Sequence, residues 1–165
     1  PLSLVLCLPF TLGLVWCGAT SIEDITGNEI NRYILRALKN DELSQLWLCR
    51  PDLSEDNEDY GLGSSRELDW LGHFAKKSTS LESVGISGDD TFVNCSRHSV
   101  DRFFGELRKC NHIKTMFFTG LPAEIIDKLG PAMKNNSITR FVAEECHLGV
   151  AEATFLCNTF GDMTV

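Results

Sequence analysis

The sequence predicts an α/β protein made of strand–helix units in succession, with a short parallel sheet on one side and helices on the other. Two observations predict it. First, four places share apolar residues at offsets 0, 3 and 5: Leu43, Leu46, Leu48; Leu81, Val84, Ile86; Ile113, Met116, Phe118; and Ile138, Phe141, Ala143. Their starts are 38, 32 and 25 residues apart, and a lysine stands four residues before each one: Lys39, Lys77, Lys109 and Lys134. Second, each lysine ends a stretch whose apolar residues recur at helical spacing. Strands that alternate with helices imply parallel pairing through crossovers.

The chain has 165 residues, 43% hydrophobic and 23% charged, with a formal net charge of -8. That is the composition of one globular domain rather than of a disordered chain. The negative balance argues against a nucleic-acid partner, which needs a basic face for the phosphates.

Residues 1–22 carry no charged side chain. They read as the apolar part of a secretory signal, as a buried strand or cap, or as a membrane anchor, although Pro9 and Gly13 interrupt the run for the last. Residues 23–165 form the folded domain, about four units, read as complete or as a fragment of a longer array.

The first helix carries Ile30, Ile34, Ala37 and Leu38, entered through Thr26-Gly27-Asn28-Glu29, a capping-box pattern. The second carries Leu68, Leu71, Phe74 and Ala75, entered through Ser64-Ser65-Arg66-Glu67. The third carries Val100, Phe103, Phe104 and Leu107. The fourth carries Ile125, Ile126, Leu129 and Met133, with Pro122 tolerated in its first turn and Pro131 expected to kink or shorten it. A fifth runs from about Val150 to Phe160. The terminal lysines suit the negative end of each helix dipole. Polar turns follow: Asn40-Asp41-Glu42, Ser78-Thr79-Ser80, Cys110-Asn111-His112 and Asn135-Asn136-Ser137.

The last unit, Ile138 to Gly149, is similar to the leucine-rich repeat consensus LxxLxLxxN/CxL, with Cys146 at the ninth position. In that Cys and in its repeat length the chain resembles the ribonuclease-inhibitor-like class, in which each repeat is a strand plus a full α-helix. The other three units have Pro51, Asp89 and Leu121 at that position and depart from the pattern. Segments such as Asp24 to Ile30, Leu71-Gly72 and Leu129-Gly130-Pro131 resemble a group of uncharacterised leucine-rich repeat proteins of unicellular algae, a likeness that implies no activity. The family resemblance implies an α/β horseshoe, a solenoid with its sheet on the concave side and helices on the convex side. It also implies a structural role for Cys146 in the turn after the strand.

In such a solenoid the residues at offsets 0, 3 and 5 are core, and those at offsets 2, 4 and 6 face the concave side. The middle row is then Trp47, Gly85, Phe117 and Val142. The flanking rows are Gln45, Ser83, Thr115, Arg140 and Cys49, Ser87, Thr119, Glu144. Trp47 and Phe117 are the expected anchors for another protein, because aromatic side chains dominate binding hot spots. Loops at Arg50–Ser65, rich in Asp and Glu, and at Ser87–Arg97 are expected on one edge.

Chemical alternatives find little support. Cys95 with His98, Cys110 with His112 and Cys146 with His147 are sequence neighbours outside any nucleophile motif. There is no zinc-ligand spacing, no calcium loop, no phosphate-binding glycine loop and no GxSxG; Gly61-Leu62-Gly63-Ser64 is the nearest run to the last. No cofactor and no metal are expected. Asn94-Cys95-Ser96 and Asn135-Asn136-Ser137 are glycosylation sequons, relevant only to a secreted chain. Five cysteines beyond residue 19 slightly favour a reducing, cytoplasmic setting.

The expected function is a non-catalytic protein-interaction module that uses the concave face and edge loops. The alternative is a regulatory or adaptor region of a longer protein whose activity lies elsewhere. A thiol-dependent enzyme is third. No membrane contact is expected unless residues 1–19 are an anchor.

Overall fold

A computed structural model describes residues 21–52, 59–88, 90–120, 122–146 and 148–161. The apolar N-terminal run up to residue 20, the centre of the acidic loop, Asp89, Leu121 and His147 lie outside the described residues. The chain runs α1 (Ile22–Ile25), α2 (Glu29–Lys39), β1 (Gln45–Cys49), β2 (Tyr60–Gly61), α3 (Ser65–Ala75), β3 (Ser83–Ser87), α4 (Arg97–Leu107), β4 (Thr115–Thr119), α5 (Ala123–Asn135), β5 (Arg140–Glu144) and α6 (Val150–Gly161). The five strands form one open parallel sheet in the order β2-β1-β3-β4-β5. Consecutive helices from α2 to α6 pack against one another.

The register is the one the offsets predict. Leu46 pairs with Val84, Val84 with Met116 and Met116 with Phe141. Leu46, Leu48, Val84, Ile86, Met116 and Phe118 are buried in a single core with Leu35 and Leu38 of α2, Leu68 and Leu71 of α3, Phe103 and Leu107 of α4, and Ile126 and Met133 of α5. Each such side chain contributes about 1.5–3 kcal/mol on burial. A slip of one residue in any strand would turn its apolar set to the other face, so the core itself fixes the pairing.

Four local expectations are corrected. Helix α2 is capped by Asn28, whose side chain accepts from the backbone N–H groups of Ile30 and Asn31; Thr26 instead closes the short α1. Helix α5 continues past Pro131 to Asn135, with no shortening, because Pro131 is exposed and the carbonyl left without its N–H donor belongs to exposed Asp127. Lys77 and Lys109 stand beyond the last residues of α3 and α4, so only Lys39 and Lys134 occupy a last helical turn. Cys49 is 3% exposed rather than open on the row of Ser87, Thr119 and Glu144, because β2, a strand the sequence reading lacks, pairs Gly61 with it and its S–H meets the Tyr60 carbonyl at 3.8 Å.

Strand β2 has a clear physical basis. Tyr60 and Leu62 are both fully buried, and the Leu62 N–H donates to the Cys49 carbonyl at 2.9 Å. Asn31 of α2, 2% exposed, donates to the Gly61 carbonyl at 2.8 Å and accepts from the Gly61 N–H at 3.1 Å. Its amide therefore takes the place of a further strand along this edge. Ser64 caps α3 as expected, and the Glu67 carboxylate accepts from the Gly63 N–H at 2.7 Å.

The polar turns dock on each other. Asp41, at φ 64°, accepts from the Ser78 hydroxyl at 2.5 Å and from the Thr79 and Ser80 N–H groups at 2.7 and 2.9 Å. Buried Asn136 donates to the carbonyls of Leu107 and Ala132 and accepts from the Ile113 N–H.

Candidate functional site

Side chains alternate along a strand, so the residues between the core positions all emerge on the other face of the sheet. The ladder Trp47, Gly85, Phe117, Val142 is continuous across β1, β3, β4 and β5. Gln45, Ser83, Thr115 and Arg140 form the parallel row at the strand starts. Ser87, Thr119 and Glu144 form the row at the strand ends. Trp47, Phe117, Val142 and Thr115 are half-buried, while Gln45, Arg140 and Glu144 are exposed.

The centre of this face is an aromatic pair. The Trp47 and Phe117 rings lie 5.2 Å apart at 58°, although a whole strand separates them. Gly85 makes this possible: a Cβ placed there would stand 2.1 Å from Cε3 and 2.4 Å from Cζ3 of Trp47. The indole occupies the space that any other residue would fill. The sequence reading placed all three residues in one row but missed this use of the glycine. The signal was a lone Gly inside a strand, standing between Trp47 and Phe117 in the row across the sheet, which marks a close approach. At the strand ends the Thr119 hydroxyl donates to the Ser87 hydroxyl at 3.1 Å.

The two irregular loops share an edge, as expected. Arg50, just after β1, pairs with Asp52 of the first loop and Asp90 of the second. The salt bridges hold both carboxylates against a common guanidinium and keep Asp52 below the usual carboxylate range.

Three of the thiols, Cys49, Cys95 and Cys110, are held in their protonated form. Burial, reinforced by Glu67 and Asp69, pushes Cys95 up to about 12, and burial pushes Cys49 and Cys110 up to about 11. A reactive thiol needs the opposite shift. Cys110 spends its S–H on the carbonyls of Ala75 and Glu106, and the His98 ring meets Arg102 at 2.9 Å. Cys146 is half-buried and packs at the border of the core, next to Glu145 at φ 53°. Among the described residues no group of three or more His, Cys, Asp or Glu stands together as a metal site, and no helix is long and apolar enough to cross a membrane.

No protein-family model matches the chain, and no curated protein matches it. Among solved structures the fold is similar to that titled "Leiomodin-1 Actin-Binding Site 2 (ABS2)", with a TM-score of 0.56 at 12% identity, over 80% of this chain and 73% of that one. The likeness extends to the fold alone.

Proposed function

We propose that the chain is a leucine-rich repeat module of the ribonuclease-inhibitor-like type that binds another protein on its open sheet face, without covalent chemistry. In this reading the sheet is the concave side of a horseshoe. Trp47 and Phe117 are the anchors, Val142 extends the apolar patch, and Gln45, Thr115, Arg140 and Glu144 form its polar rim. The observation that carries the reading is the Trp47–Phe117 pair seated over Gly85, half-buried on the row opposite the core positions Leu46, Leu48, Met116 and Phe118. Half-buried aromatics clustered at the centre of a sheet are what a partner finishes desolvating to gain affinity. The fold's likeness to an actin-binding site makes a protein partner a natural choice and actin a sensible first probe. The regulatory or adaptor reading differs only in placing the activity of the complex elsewhere.

The test compares the wild-type chain with Trp47→Ala and Phe117→Ala in actin co-sedimentation and in cross-linked pull-downs. Loss of a specific partner by both variants, with far-UV circular dichroism unchanged, supports the reading. Partners retained by both folded variants remove the proposed face.

A further inference from the structure

The two edges of the sheet are unlike. At β2 the outward N–H and C=O of Gly61 are both taken by Asn31, so this edge is sealed. At β5 five residues form a regular strand, and nothing among the described residues pairs with its outer side. An open edge is a template for another strand. We propose that β5 pairs antiparallel with β5 of a second copy of this chain, about a twofold axis at Val142, to join two five-stranded sheets into one.

The backbone sets the phase. The Arg140 N–H donates to Lys114 and the Glu144 carbonyl accepts from Gly120, so Arg140, Val142 and Glu144 turn their peptide groups toward β4. By alternation, Phe141 and Ala143 turn theirs outward. Centred on Val142, the antiparallel pairing sets Phe141 opposite Ala143 of the other copy as a hydrogen-bonded pair, twice over, for four backbone bonds. Val142 then meets Val142, and Arg140 meets Glu144 of the other copy, at the closer, non-hydrogen-bonded positions.

The strand sequence Arg-Phe-Val-Ala-Glu is complementary to itself in this arrangement. Both charged residues are exposed, and neither has an ion-pair partner among the described residues. The twofold axis gives each one an opposite charge. On the core side it sets bulky Phe141 against small Ala143. Parallel pairing of the same strands would set Arg140 beside Arg140 and Glu144 beside Glu144, which is repulsive. The twofold contact is closed, since each copy uses the same outer side of β5, which no other described residue pairs with. This inference does not rest on the partner-binding reading: it moves Arg140 and Glu144 from the rim proposed there to the self-contact and leaves Trp47 and Phe117 free.

Sedimentation equilibrium of the whole chain, over a concentration series up to about 100 µM, tests it. The wild type is expected to approach twice 18.4 kDa. Arg140→Glu sets like charges against each other at two places and is expected to weaken self-association roughly tenfold or more. The double variant Arg140→Glu/Glu144→Arg exchanges both partners of each pair and is expected to restore it. Trp47→Ala is expected to change nothing. A monomer throughout overturns the proposal, as does a dimer indifferent to Arg140→Glu. Failure of the double exchange to restore the dimer in chains of native circular dichroism overturns it too, and loss of the dimer in Trp47→Ala would assign the contact to the open face instead.

Discussion

Trp47 reaches across Gly85 to touch Phe117, and the ring stands where the side chain of residue 85 would begin: 2.1 Å separates Cε3 from that Cβ position. The contact joins β1 to β4 over the top of β3. It turns three separate side-chain positions into a single apolar surface.

Gly85→Ala therefore acts on the surface more than on the fold. The obstructed atoms belong to the end of a side chain that can swing away, so the cost of the clash is small, and leaving glycine in mid-strand offsets part of it. Stability is expected to change by no more than about 1 kcal/mol in urea. The Trp47–Phe117 nuclear Overhauser contacts and the near-ultraviolet dichroism of the pair are expected to vanish. Their survival at wild-type strength would show that Gly85 is not what seats the indole.

Asn31→Ala tests the sealed edge. It removes both partners of the buried Gly61 peptide groups and is expected to cost about 2–4 kcal/mol, since each orphaned group bears its own desolvation penalty. Asn31→Asp keeps the acceptor but loses the donor, and is expected to be no better. Urea midpoints measure both, and hydrogen exchange at Leu62 shows whether β2 is the part that loosens. A loss of stability within experimental error would remove the clamp.

Asp41 ties the turn after α2 to the turn after α3. Hydrogen bonds from Ser78 and Thr79, together with the backbone of Ser80, hold its carboxyl far below the usual carboxylate range. The unfolded chain takes up this proton first as pH falls, so the stabilisation is full above about pH 4 and is lost progressively below it. Asp41→Asn is expected to lower stability at pH 7 and to flatten the acid limb below pH 4, as followed by urea unfolding at a series of pH values. An acid limb identical to the wild type would mean that Asp41 is not among the groups that drive it.

The thiols give a check on the proposal of binding without covalent chemistry. Exposed Cys157 is expected to be alkylated by iodoacetamide well before Cys49, Cys95 or Cys110, the first and last of which are buried while Cys95 is pushed up to about 12. Site-resolved mass spectrometry measures the order. Labelling of Cys95 in step with Cys157 would reopen the thiol-enzyme reading.

The sequence by itself determined the strand–helix alternation, the register of β1, β3, β4 and β5, and the row that holds Trp47 and Phe117. All three follow from apolar periodicity, because burying one face of a strand leaves a single phase for its side chains. Ser64 and the segment from Val150 were legible for local reasons, a hydroxyl before a helical run and apolar spacing. Tertiary structure decided the rest. The alternation of Tyr60 and Leu62 with glycine is too short to announce a strand, and only the distant amide of Asn31 and the free edge of β1 make it one. The cap of α2 moved to Asn28 because Thr26 was claimed by a helix four residues long. The seat of Trp47 on Gly85 likewise exists only because parallel pairing brings positions 38 residues apart to the same rung, a contact that no local pattern encodes.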